Sequence, residues 1–365
     1  MTIVVNTSAL RSSGGLSIYR QFINRLPQHK GAAHYYIFVD PAMDQPLIDG
    51  VTYVRDANHS FAHRLWWDYR GLRKWLKRRN IVPDIVISLQ NTGVLLPCRQ
   101  IIYYHQPLPF YGKNWSFLKS KERMLALYKY VYPCFVRWTL RRDTQVVVQL
   151  PFIKRGFVRC FGIDERRVHV MFPDVESVAI DQIPPYPFEE GLLHFIYPAS
   201  CYPYKEHMTL VRAMVELRRR DLPLSARIRI HFTLQAEDNP SLHQAIIQND
   251  LTGLFIFEGV LPHEQLLTCY KSAAGLLFPS TIETLGLPLL EAAAFGLPIV
   301  ASDLEYAREV LGTYEGVRFV GQYDYAAWAD AIAQICSRRE RYTPLEMKTS
   351  SWGCFFELIN KDNRI

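Results

Sequence analysis

The chain has 365 residues, 49% of them hydrophobic and 21% charged, the values of a globular protein too long for one ordinary core, so two domains are expected. Its seven cysteines (98, 134, 160, 201, 269, 336 and 354) are scattered and never spaced C-x-x-C, which argues against a disulfide framework or a zinc site and for a reducing compartment. The net charge of +7 divides unevenly: residues 1–170 hold 26 Lys+Arg against 10 Asp+Glu, a balance of +16, and residues 171–365 hold 16 against 25, a balance of −9, so the basic half is expected to meet an anionic partner or surface.

The first residues, M-T-I-V-V-N-T-S, have no basic n-region and only a short apolar run, unlike a signal peptide. No apolar run approaches the ~20 residues of a membrane-spanning helix. A cytoplasmic protein is expected, and the sequons at Asn6, Asn58 and Asn114 read as chance matches. Residues 2–6 form a short buried strand, 7–15 a polar loop, and 16–26 a helix with Leu16, Ile18, Tyr19, Phe22, Ile23 and Leu26 near helical spacing. Short apolar runs recur at 35–39, 85–89, 101–104 and 146–148, several of them separated by longer helical segments. That alternation predicts a parallel sheet with helices on both faces.

Residues 172–191 break the pattern with Pro173, Pro184, Pro185 and Pro187 and only acidic charges. They are the expected linker, because proline cannot join a central ladder. The alternation then restarts, with strands at 193–197, 228–234, 254–258, 275–278 and 299–301 and helices at 208–219, 241–249 and 263–272. The sequence thus divides into a first Rossmann-like domain at 1–171, the linker at 172–191, and a second Rossmann-like domain at 192–340. A C-terminal segment at 341–365, helical over about 345–359, is expected to pack back on the first domain. Two doubly wound α/β domains with a cleft between them follow, and ligands of such sheets sit beyond the carboxyl ends of the strands.

The chain holds no G-x-G-x-x-G, Walker A, G-x-S-x-G or H-E-x-x-H pattern. No D-x-D is present to place a divalent ion on a diphosphate, and Asp174-Val175-Glu176 is a weak match inside the linker. No metal is therefore assigned.

The most informative stretch runs from Phe278 to Asp303, F-P-S-T-I-E-T-L-G-L-P-L-L-E-A-A-A-F-G-L-P-I-V-A-S-D. It reads strand, loop, helix, strand. Gly286 lets the backbone approach a ligand, Pro288 suits a first helical turn, and Gly296 with Pro298 stops the helix. Amides at such a helix start attract phosphate, and carboxylates accept hydrogen bonds from hydroxyls. Glu283 and Glu291 lie eight residues apart, which on one helix is roughly 12 Å of rise. They cannot share a proton and must grip different parts of one long ligand, phosphate at one end and polyol at the other, such as a nucleotide-sugar.

Glu283-x7-Glu291, with P-S before and G-L-P-I-V-A-S-D after, resembles the E-x7-E signature of retaining family-4 glycosyltransferases of the GT-B fold. The resemblance extends more weakly over most of the chain. It implies that Glu283 contacts the transferred sugar, Glu291 the ribose, and the backbone of Thr284, Leu285 and Gly286 the diphosphate. It also implies that Lys205, in Y-P-A-S-C-Y-P-Y-K-E-H, offsets diphosphate charge, and it puts Ala199 where the family often has a second cation, an Arg. Gly14 and Gly15 match a Gly-rich turn near the donor phosphate. His105, opening H-Q-P-L-P-F, matches a histidine near sugar and acceptor. The segment Phe257-Glu258-Gly259-Val260 matches the one that holds the base, here with Val260. No cofactor beyond the nucleoside-diphosphate sugar is implied.

Two basic runs interleaved with aromatics, 64–79 and 113–142, suit an anionic membrane surface and also nucleic acid. No nucleic-acid motif accompanies them, so a peripheral membrane contact near a lipid-linked acceptor is favoured. The expectation is a retaining, metal-independent glycosyltransferase of bacterial surface polysaccharide assembly, acting on a glycan or lipid-linked acceptor. A nucleotide-sugar epimerase and a non-catalytic subunit of the same fold are the alternatives.

Overall fold

The computed structural model describes residues 1–10, 13–55, 60–174, 180–346 and 350–361. Asn58, Val175 and Glu176 lie outside them, as do parts of the 172–191 and 341–365 stretches. The chain forms two compact units, Met1–Asp174 with Lys348–Ile365, and Val175–Met347.

In the first unit β1 (Thr2–Asn6), α1 (Ser13–His29), β2 (His34–Val39) and β3 (Val51–Arg55) precede a helical run of α2 (Phe61–Trp66), a π-turn (Trp67–Gly71) and α3 (Leu72–Arg78). Strands β4 (Ile85–Ser88) and β5 (Arg99–Tyr103) follow, then a second such run of α4 (Arg123–Ala126), a π-turn (Leu127–Val131) and α5 (Tyr132–Thr139). β6 (Gln145–Val148), α6 (Pro151–Phe161) and β7 (Val168–Val170) complete the sheet, ordered β3-β2-β1-β4-β5-β6-β7 with every pairing parallel. Its central strands are near-continuous apolar runs because both faces are covered.

In the second unit β8 (Leu193–Tyr197) leads to α7 (His207–Arg220) and α8 (Leu222–Ala226), then β9 (Ile228–Phe232), α9 (Pro240–Gln248), β10 (Phe255–Phe257) and α10 (His263–Ser272). β11 (Gly275–Phe278), α11 (Leu287–Ala294), β12 (Ile299–Ser302), α12 (Glu305–Leu311), β13 (Val317–Val320) and α13 (Tyr325–Arg338) follow. The sheet order is β10-β9-β8-β11-β12-β13, again all parallel. Each unit is thus a doubly wound Rossmann-like domain. Strand order reverses between β1 and β4 in one and between β8 and β11 in the other, the point beyond which such sheets bind ligands.

The last helix, α14 (Trp352–Asn360), belongs to the first unit. Trp352, Phe355, Phe356, Leu358 and Ile359 join the core around Phe22 of α1, and Phe22 stacks on Phe356 at 5.5 Å. Each such side chain stabilises by roughly 1.5–3 kcal/mol through burial. The helix expected over 345–359 begins at Trp352. Residues 342 and 345 instead donate backbone bonds to Gly296 and Ala293, at 2.9 Å each. Among the described residues no helix is long and apolar enough to cross a membrane.

Candidate active site

In the second unit, Lys205 lies on the loop after β8 and Glu283 on the loop after β11, the two strands at which the order reverses. The Lys205 ammonium forms an ion pair with Glu283 Oε1. Both side chains are largely buried, 13% and 14% exposed. The ammonium also lies 5.7 Å from the Tyr204 ring and 5.9 Å from the Phe278 ring, positions that favour a cation over an aromatic face. Backbone bonds hold the loops together: Thr281 donates through N–H and Oγ1 to Tyr204 O at 2.8 and 3.0 Å, and Tyr197 OH donates to Lys205 O at 2.5 Å. Glu206, next in the chain, takes a left-handed φ of 52° as it opens α7.

Ala199, at the expected place of a second cation, is a buried methyl whose N–H donates to Thr233 Oγ1 at 3.0 Å.

Gly286 caps α11 with φ 75° and ψ 55°, a left-handed geometry suited to glycine. Pro288 sits in the first turn, where helix amides have no intrahelical acceptor. Leu285 is buried and Thr284 half-buried. One turn into the helix, Glu291 accepts from His263 Nε2 through Oε1 and from Tyr270 OH through Oε2, each at 3.0 Å. Sequence reasoning missed both donors. Burial and the neighbouring carboxylate push the Tyr270 phenol well up, so it stays a donor. Val260 stands 89% exposed on the turn made by Gly259 (φ 73°), three residues before His263. The structure thus joins Lys205 to Glu283 directly, and the Val260 loop to Glu291 through His263.

In the first unit, Gly14 and Gly15 lie in the first turn of α1 rather than in a turn before it. A β-carbon on Gly14 would meet nothing within 4 Å among the described residues. Gly15 differs, backing directly on the His105 ring. His105 donates its N–H to Asn91 Oδ1 at 2.5 Å, and its Nε2 pairs with Leu89 O at 3.0 Å. Burial, aided by the Arg64 charge, lowers its imidazole to about 4. It is neutral near pH 7 and can orient a hydroxyl rather than carry charge.

Beside it lies a second group that the sequence did not reveal. The π-turn at Trp67–Gly71 turns Asp68 inward, where it accepts from Asn6 Nδ2 (2.8 Å), Gln90 Nε2 (2.9 Å) and Thr92 Oγ1 (2.5 Å). Burial raises its carboxyl to about 6 against the pull of Arg64 and these donors. Arg64 itself donates to Gln90 O and, at 2.6 Å, to Tyr132 OH.

A further chain of polar groups crosses the second sheet. His194 Nε2 bonds Glu189 O at 2.9 Å, His194 Nδ1 meets His231 Nε2 at 2.8 Å, and His231 Nδ1 meets Glu258 Oε1 at 2.6 Å. Phe188 stacks on His194 at 4.4 Å.

Residues 180–350 match the family described as Glycosyl transferases group 1. The O-antigen chain mannosyltransferase RfbU of Salmonella typhimurium is 22% identical over 275 residues, 74% of this chain and 70% of that protein. Other relatives are matched over less than half of their own length. Among solved structures, WaaG, a glycosyltransferase involved in lipopolysaccharide biosynthesis, shares the fold with a TM-score of 0.66 at 13% identity, over 93% of this chain and 91% of that one. Anabaena HepE in complex with UDP and glucose shares it with a TM-score of 0.61 at 14% identity, over 93% and 90%.

Proposed function

We propose that this chain, two Rossmann-like units of the GT-B fold whose residues 180–350 match the family described as Glycosyl transferases group 1, is a glycosyltransferase that transfers a sugar with retention from a nucleoside-diphosphate sugar to a glycan or lipid-linked acceptor. The observation that carries the reading is the Lys205–Glu283 pair at the strand-order reversal. A cation and a carboxylate already in contact match the two needs of such a donor, charge for the diphosphate and an acceptor for sugar hydroxyls.

In this reading the bond from the anomeric carbon to the diphosphate oxygen breaks as the acceptor oxygen attacks from the same face. The acceptor proton passes to the departing diphosphate oxygen. Lys205 and the backbone of residues 284–286 stabilise the charge that develops there, without a divalent ion. Glu283 orients the sugar, Glu291 takes the ribose, and neutral His105 orients the acceptor hydroxyl.

The relatives favour bacterial surface polysaccharide assembly. The basic first half, with Trp66, Tyr69 and Trp138 exposed at 47%, 47% and 65%, favours peripheral attachment to the anionic cytoplasmic face of a membrane.

The test is to incubate the protein with UDP-sugars and a nucleoside-diphosphate mannose, with and without a lipid-linked glycan acceptor. Acceptor-dependent release of nucleoside diphosphate, with the product retaining the donor's anomeric configuration by NMR, is expected in the presence of EDTA. Conversion of donor without acceptor would instead mark an epimerase.

A further inference from the structure

Resting on the reading of Glu291 as the ribose carboxylate, we propose that His263 is an internal ligand of Glu291 that the donor ribose displaces, while Tyr270 holds that carboxylate in place. The two donors on Glu291 differ in kind. Tyr270 is fully buried, its ring packs against Phe295 at 5.9 Å, and its backbone oxygen accepts from Arg341 at 3.2 Å. It is fixed on Oε2. His263 opens α10, with its side chain 48% exposed, and donates to Oε1 at 3.0 Å. Of the two donors it is the one that faces water and can rotate away from Oε1.

A ribose hydroxyl donates the same kind of bond to the same oxygen. Exchange therefore keeps Oε1 satisfied, turns the imidazole toward solvent and leaves the Tyr270 bond to Oε2 in place. The hydrogen bond lost to His263 is subtracted from what the ribose gains, so His263 sets donor affinity. The segment at residues 257–260, three residues before His263, is the one read as holding the base. Base and ribose thus meet the same short segment of chain.

The experiment is calorimetric titration of UDP, GDP and ADP into the whole protein and its variants, with the thermal melt of each unliganded variant recorded. His263→Ala is expected to bind its preferred nucleotide tighter by roughly two- to fivefold, the span of one partly exposed pair. His263→Gln, whose amide can still donate to Oε1, is expected to stay close to the unaltered protein, and Tyr270→Phe to bind more weakly. A His263→Ala variant that folds and binds equally well or more weakly overturns the proposal, because an imidazole that only braces the helix or helps hold the ribose gives that result. If the unaltered protein binds none of the three nucleotides, or Glu291→Gln binds as well as it does, the ribose reading itself fails.

Discussion

A β-carbon placed on Gly15 would stand 3.0 Å from Cε1 and 3.3 Å from Nε2 of His105. That separation is tighter than ordinary van der Waals contact, and Leu10 Cδ2 crowds the same point at 2.9 Å. Gly15→Ala is therefore expected to push the imidazole off Leu89 O and lower the transfer rate by about tenfold, within the range that small misplacements produce. Gly14→Ala, one residue earlier and with no described atom within 4 Å of its β-carbon, is expected to raise thermal stability by up to about 1 kcal/mol through helix propensity. Steady-state rates and melting curves of both variants check this.

Lys205 and Glu283 are each buried against the other, so truncating one leaves the other charge without its counter-charge in the pair. Lys205→Met and Glu283→Gln are each expected to lower the melting temperature and to slow transfer by roughly a hundredfold or more, the span seen when one charge-stabilising donor is lost. Combining them removes both charges. The double variant is expected to recover melting temperature while transfer stays lost, which separates catalysis from stability.

Two groups near the reversal in the first sheet work in opposite directions as pH changes. His105 is lowered from 6.5 to about 4 by burial. Between those values the unfolded chain holds more protons, so this group makes the fold less stable as pH falls. Asp68 is raised by burial from 3.8 to about 6. Between those values the folded chain holds more protons, so this group makes the fold less stable as pH rises. His105→Gln is expected to flatten the acid loss of stability, and Asp68→Asn to steepen it, in melting temperatures measured from pH 4 to 7.

Glu206 holds a left-handed φ of 52° where α7 begins, and accepts from Tyr323 OH at 3.1 Å. The backbone conformation costs about 1 kcal/mol or more for a residue with a β-carbon. The exposed tyrosine bond offsets only part of that. Glu206→Gly is expected to raise stability by up to about 1 kcal/mol, read as a higher melting temperature.

If the basic half meets a membrane, the protein is expected to co-sediment with vesicles containing phosphatidylglycerol and not with phosphatidylcholine vesicles. Binding is expected to fall as salt rises, because the attraction is screened. Trp66→Ser with Trp138→Ser is expected to weaken it further, since both indoles are exposed.

The strands with continuous apolar runs were legible from sequence, as was α10. The spans predicted for 2–6, 193–197, 263–272 and 275–278 coincide with β1, β8, α10 and β11. β3, β7 and β13 were not, because edge strands are short and half exposed and lack an apolar run. Lys205 and Glu283 were each picked out by motif, but not their contact, which spans 78 residues. Tyr270 and His263 were missed because they reach Glu291 from 21 and 28 residues away. Asp68 gave one signal: it is the only acid in the run from Arg64 to Arg79. It lies inside the 64–79 run taken as a surface for an anionic membrane, and the π-turn buries it instead.

The chain from Glu189 through His194 and His231 to Glu258 settles its own proton inventory. It contains three hydrogen bonds and ends at both sides in an acceptor, a carbonyl and a carboxyl group. Two neutral imidazoles bring only two ring hydrogens. The third bond needs one more on an imidazole. Burial opposes a charge on either ring, and the Glu258 carboxylate counters that penalty for His231. Closing all three bonds at once therefore takes one further hydrogen ion, and only then is the line between residue 189 and the loop that carries Val260 complete.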